Sequence, residues 1–157
     1  MSERILVTGG AGFIASNVIS HFLKETDCEI VSLDRIDSSA DLNRIGQLLK
    51  DNPEFEGRLT VVWHDLKSEI NKNVSKRIGK IDKILHLAAS SHVNRSIQDP
   101  LSFVMDNVVG TCNLLNYARE IGGLKRFLYF STDEVFGAAP EGVVFSEDDR
   151  YNCGNPY

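Results

Sequence analysis

The chain has 157 residues, enough for one domain with a real core, and its 42% hydrophobic and 25% charged content is that of an ordinary globular protein. A net charge of −5 argues against nucleic acid or an anionic membrane as the main partner, since both need basic patches. No run of eighteen apolar residues offers a membrane span, and MSERILVTGG enters strand-like sequence without a basic-then-apolar signal segment.

Residues 4–9 (RILVTG) form an apolar run ending in glycine, which predicts a strand. Phe13, Ile14, Val18, Ile19, Phe22 and Leu23 then recur at helical spacing. A second strand is expected at 29–34 (EIVSLD). A second helix follows on Leu42, Ile45, Leu48 and Leu49, ended by DNPEFEG. Residues 58–65 (RLTVVWHD) predict a third strand, and Ile70, Val74 and Ile78 a short third helix. Residues 83–89 (KILHLAA) predict a fourth strand. Pro100 introduces a long helical pattern through Phe103, Val104, Val108, Leu114, Leu115, Ala118 and Ile121, stopped by Gly122 and Gly123. The apolar run at 126–132 (RFLYFST) reads as a fifth, buried strand; beyond it the pattern fades into a loop. This alternation predicts an α/β, Rossmann-like doubly wound parallel sheet covered on both faces, incomplete at its C-terminal side. The three cysteines, Cys28, Cys112 and Cys153, and the four scattered histidines lack metal-ligand spacing. The reading is free thiols in the cytoplasm and no metal site.

The first turn, TGGAGFIAS, lies between a strand and a helix, the context that a dinucleotide fingerprint requires. Gly9 and Gly12 permit a tight turn and close approach of backbone N–H groups to a pyrophosphate at the helix start. Ala15 provides the small residue for close helix–strand packing. Asp34 ends the second strand about 20 residues further on, where a carboxylate binds ribose hydroxyls and disfavours a 2′-phosphate. Arg35 beside it pulls the other way. Asp65 ends the third strand and can reach the adenine side. NAD is therefore the expected cofactor. The stretch FLYFSTDEVFG sets Asp133 and Glu134 at the end of the fifth strand, where ligands of such sheets bind. Acids there need partners or a task.

TGGAGFIAS, HLAASSHVNRSI, DNVVGT, STDEVFG and the final NPY together resemble the extended short-chain dehydrogenase/reductase (NAD-dependent epimerase/dehydratase) family, and within it the dTDP-glucose 4,6-dehydratases most. The likeness runs over essentially the whole chain. Its specific part is the Thr132-Asp133-Glu134 triplet, since related epimerases and decarboxylases usually lack the acidic pair. The resemblance implies Tyr157 as base at the sugar C4 hydroxyl with Thr132 hydrogen-bonded to it, Glu134 as base at C5, and protonated Asp133 as acid to the departing C6 hydroxyl. Paired carboxyls in different protonation states suit an elimination of water. It further implies Phe13 and Ile14 backbone on the pyrophosphate, Leu66, Leu87, Ala88, Ala89 and Ser91 along the cofactor, and Ser91 also at the substrate. Asn107 would brace the long helix. Ser90, Asn94, Asp106 and Phe136 depart from the family pattern, Asp106 where a small hydroxyl residue is usual.

The family also carries a lysine four residues beyond the tyrosine and a smaller C-terminal substrate domain, neither within these residues. The expectation is an N-terminal portion of a homodimeric enzyme, with little or no turnover alone and with exposed apolar surface. The nucleotide-sugar substrate is expected to be dTDP-glucose, with UDP-glucose as competitor. The rival readings are an epimerase or decarboxylase of the same superfamily and a non-catalytic NAD-binding module.

Overall fold

Strand residues alternate between two faces of a sheet, and here each face finds its own core. The computed structural model describes residues 2–37 and 40–157. Its elements are β1 (Arg4–Thr8), α1 (Phe13–Glu25), β2 (Glu29–Asp34), α2 (Leu42–Asp51), β3 (Leu59–Trp63), α3 (Lys72–Ile78), β4 (Lys83–His86), α4 (Val93–Gln98), α5 (Pro100–Phe103), α6 (Gly110–Ile121) and β5 (Arg126–Tyr129). Short 3₁₀ turns cover Pro53–Arg58 and Asp133–Phe136. The five strands are all parallel, in the order β3-β2-β1-β4-β5. Ile5 and Val7 pack on one face with Ala15, Ile19 and Leu23 of α1 and Ile45 of α2. Leu6 turns to the other, with Ile78 of α3 and Leu114 and Tyr117 of α6. The expected doubly wound sheet is thus present. Among the described residues, no helix is long and apolar enough to cross a membrane.

Three expectations need correction, and one helix was not expected. β4 stops at His86, because the Thr8 hydroxyl takes the N–H groups of Leu87 and Ala88 at 3.2 and 3.1 Å and draws them out of the ladder. The helix α4 has no apolar stripe, only Ser96 being buried, and so gave no periodic signal. The long helical run from Pro100 widens into a π turn at Val104–Val109, with backbone still in the right-handed helical region at Val104 and Gly110. Finally, β5 is not buried. Among the described residues it is the last strand of the sheet, and Leu128, Tyr129 and Phe130 are 45%, 49% and 42% exposed. The expected exposed apolar surface includes these residues.

Candidate active site

β1 has β2 on one side and β4 on the other, so the strand order reverses at its C-terminal end, where open α/β sheets bind ligands. A cleft opens there. Gly9, Gly12, Asp34, Asp65, Leu66, Leu87, Ala88 and Ala89 all line it. Gly9 sits at φ +72°, and a Cβ on it would stand 3.0 Å from the Cα of Ala88. A Cβ on Gly12 would meet the Gly9 carbonyl oxygen at 2.9 Å. Both glycines therefore keep the turn tight and its floor bare. No side chain caps the start of α1, whose first turn holds no acid, so its N–H groups remain open to an anion.

Asp34 is buried, and its carboxylate is fixed at both oxygens: Ala11 N–H donates to Oδ2 at 3.0 Å and Ile36 N–H to Oδ1 at 2.7 Å. Each oxygen keeps a lone pair for a ribose hydroxyl. The cleft also takes Asp37, His64, Lys67 and Ser90, which sequence reasoning did not assign to it, and it takes Arg35 and Asp106, already noted in the sequence as bearing on the cofactor. Arg35 donates to Asp106 at 2.6 and 2.9 Å, one bond to each carboxylate oxygen, and to Asp37 at 2.6 Å. Ser90 Oγ donates to Asp106 at 2.6 Å, and Lys67 Nζ lies 3.7 Å from it. Burial raises the Asp106 carboxyl, but the Arg35 fork and the Ser90 hydroxyl outweigh that and hold it below the usual range. The signal for this cluster was the departure at Asp106 itself.

The wall formed by Leu87–Ser90 is held by a closed chain of hydrogen bonds. Thr111 Oγ1 donates its one proton to the Asn107 carbonyl at 2.6 Å, so at 2.9 Å from His86 Nε2 it can only accept. The imidazole is therefore protonated at Nε2, and Nδ1 accepts from Thr8 Oγ1 at 2.7 Å. His86 is 1% exposed, and burial pushes its pKa down to about 4. Asn107 Oδ1 accepts from Ser90 N–H at 2.8 Å and its Nδ2 donates to the Ser90 carbonyl at 2.9 Å.

Other expected site residues stand apart from the cleft. Ser91 lines the adjoining outer cleft with Trp63, His92 and Arg95. Phe13 and Ile14 are 72% and 64% exposed and line neither cleft, so what they offer is backbone at the start of α1. Thr132, Asp133, Glu134 and Tyr157 line neither cleft, because β5 lies one strand beyond β4. The acids are not buried: Asp133 is exposed and Glu134 half-buried. Thr132 caps the Asp133–Phe136 turn by accepting from Glu134 N–H at 3.3 Å, and donates to Asp133 Oδ1 at 3.2 Å. Asn155, whose part sequence reasoning missed, donates to Glu134 Oε2 at 2.8 Å and accepts from Tyr157 N–H at 3.0 Å. One amide thus joins the Glu134 carboxylate to the backbone of Tyr157.

The sequence profile of the family described as GDP-mannose 4,6 dehydratase matches residues 6–157. A dTDP-D-glucose 4,6-dehydratase of Dictyostelium discoideum is 36% identical over 156 residues, covering 98% of this chain and 33% of that protein. The mouse (Mus musculus) dTDP-D-glucose 4,6-dehydratase is 37% identical over 158 residues, covering 99% of this chain and 42% of that one. Among solved structures, a dTDP-glucose 4,6-dehydratase from Streptomyces venezuelae with NAD and TYD bound superposes with a TM-score of 0.81 at 31% identity, over 98% of this chain and 47% of that chain. The chain spans less than half the length of each of these relatives.

Proposed function

We propose, for a chain that belongs to the GDP-mannose 4,6-dehydratase family, that it is the NAD-binding portion of a nucleotide-sugar 4,6-dehydratase. The observation that carries the reading is the cleft at the strand-order reversal, with the two-handed anchoring of Asp34 beside the bare glycine turn. Its residues fit a dinucleotide: Asp34 for the ribose, the uncapped α1 start for the pyrophosphate, and Asp65 and Leu66 for the adenine side. When bound, the cofactor supplies the temporary hydride acceptor for the sugar C4 carbon. The chain's residues handle the protons. Tyr157 takes the proton of the C4 hydroxyl, which Thr132 orients. The C4 ketone acidifies the C5 proton, and Glu134 removes it. Asp133 gives its proton to the C6 hydroxyl, which leaves as water. Glu134 would then return its proton to C5, and with a hydride that a bound cofactor would supply at C6 the product is a 4-keto-6-deoxy sugar. Asn155 steadies Glu134 against Tyr157 in this scheme.

The proposed substrate is dTDP-glucose and the proposed assembly a homodimer. The assembly is supported by Leu101 and Val108, which are 70% and 61% exposed on the helical run from Pro100. The test is a water-loss assay on the full-length protein with dTDP-glucose and with UDP-glucose, followed by deuterium exchange at C5. Interconversion at C4 without loss of water would assign an epimerase. Cofactor binding with no turnover of either sugar would assign a binding module.

A further inference from the structure

The Arg35 guanidinium poses a question that Asp34 alone does not answer. A cation beside the ribose-binding carboxylate is the usual means of accepting a 2′-phosphate. Here the cation is already engaged. At least three of its five N–H donors are taken, two by the Asp106 fork and one by Asp37. Asp106 reaches across from the π turn between α5 and α6, and Ser90 fixes its second oxygen. Both Arg35 and Asp106 line the same cleft as Asp34. Four carboxylates in its lining (Asp34, Asp37, Asp65, Asp106) face two cations (Arg35, Lys67). A phosphate dianion entering there must break the bidentate pair and face the excess of negative charge, whereas two ribose hydroxyls need only the lone pairs of Asp34.

We infer that Asp106 is a cofactor-selectivity residue, which locks Arg35 away so that the adenosine end of the cleft takes a 2′-hydroxyl dinucleotide and rejects a 2′-phosphorylated one. The inference rests on the dinucleotide reading above and adds which residue enforces the choice. In it the Asp106 carboxylate occupies the place on Arg35 that a 2′-phosphate would take.

The test is calorimetric titration of NAD and of NADP into full-length wild-type protein and the Asp106→Asn and Asp106→Thr variants at one ionic strength. The quantity read is the ratio of the two dissociation constants. Wild type should favour NAD. Removing the carboxylate frees charged donors for the phosphate, so the NADP:NAD ratio of dissociation constants should fall by about tenfold or more. Adding Arg35→Ala to Asp106→Asn should restore the preference for NAD, because Arg35 is the receptor being released. If one variant fails to fold by circular dichroism, the other carries the measurement. A ratio unchanged in the folded variants overturns the lock while leaving the dinucleotide reading intact. So does a fall that survives Arg35→Ala, or a wild type that prefers NADP. Wild type that binds neither dinucleotide overturns that reading and the lock with it.

Discussion

His86 should make this protein lose stability in mild acid, by an amount that can be worked out from its burial. The imidazole is 1% exposed and pushed down to about 4, against about 6.5 in an unfolded chain. Between those values the unfolded chain binds a proton that the folded one refuses. The contribution is therefore complete above pH 6.5 and is lost as pH falls towards 4. The whole difference corresponds to about 3 kcal/mol, of which roughly 2 kcal/mol falls between pH 7 and pH 5. His86→Asn keeps a side-chain acceptor for Thr8 and removes the titrating ring. It leaves Thr111 without its donor, at a fixed cost of about 1–2 kcal/mol. Urea midpoints of the full-length wild type and variant at pH 7, 6 and 5 separate the two effects, since carboxylates common to both proteins cancel in the difference. The stability of wild type minus that of the variant should fall by about 2 kcal/mol from pH 7 to pH 5, which closes or reverses the gap. A gap that stays constant with pH would refute the reasoning, because the folded imidazole would then be charging as it does in water.

Gly9→Ala places a Cβ 3.0 Å from the Ala88 Cα at φ +72°. It should cost about 1–3 kcal/mol in a denaturation curve and weaken NAD binding in calorimetry by tenfold or more. Glu134→Gln in the full-length protein should lower kcat of the proposed dehydration by about 10²–10⁴-fold and abolish deuterium exchange at C5; surviving exchange would place the base elsewhere. Val108→Glu puts a charge on a side chain 61% exposed on the helical run from Pro100. In sedimentation it should shift the proposed homodimer of the full-length protein towards monomer, and a dimer left unchanged would mean that another face is used.

The strands and the cleft floor were legible because their signals are local. Continuous apolar runs mark covered parallel strands, and the glycine turn followed by Asp34 marks the strand-order reversal. Asp65 and Leu87–Ala89 came with them, since they follow strand ends on the same edge. The fork between Arg35 and Asp106 was not legible, because it joins residues 71 apart and depends on how a π turn aims a carboxylate. The helix α4 escaped because it buries only Ser96 and so carries no stripe. The fifth strand misled in the other direction. Apolar composition marks what a strand is suited to touch, and among the described residues Leu128 to Phe130 stand about half exposed on the last strand of the sheet and just beyond it. The triplet beyond it was recognised by its order of residues, but its tether, Asn155, sits at the far end of a loop.

The paired bonds between Asn107 and Ser90 are those that a facing residue of an antiparallel strand would make, one to the N–H and one to the carbonyl. A single side chain therefore acts as a one-residue strand, extending the sheet's grip past the point where β4 itself has ended. Because the bond is two-handed, it resists shear as well as separation. The two bonds tie the helical run that carries Asn107 to the cleft wall that carries Ser90. That helix presents Leu101, Val104 and Val108 outward. The same tie therefore joins an exposed apolar helix face to the cleft wall, and it should slow amide exchange at Ser90.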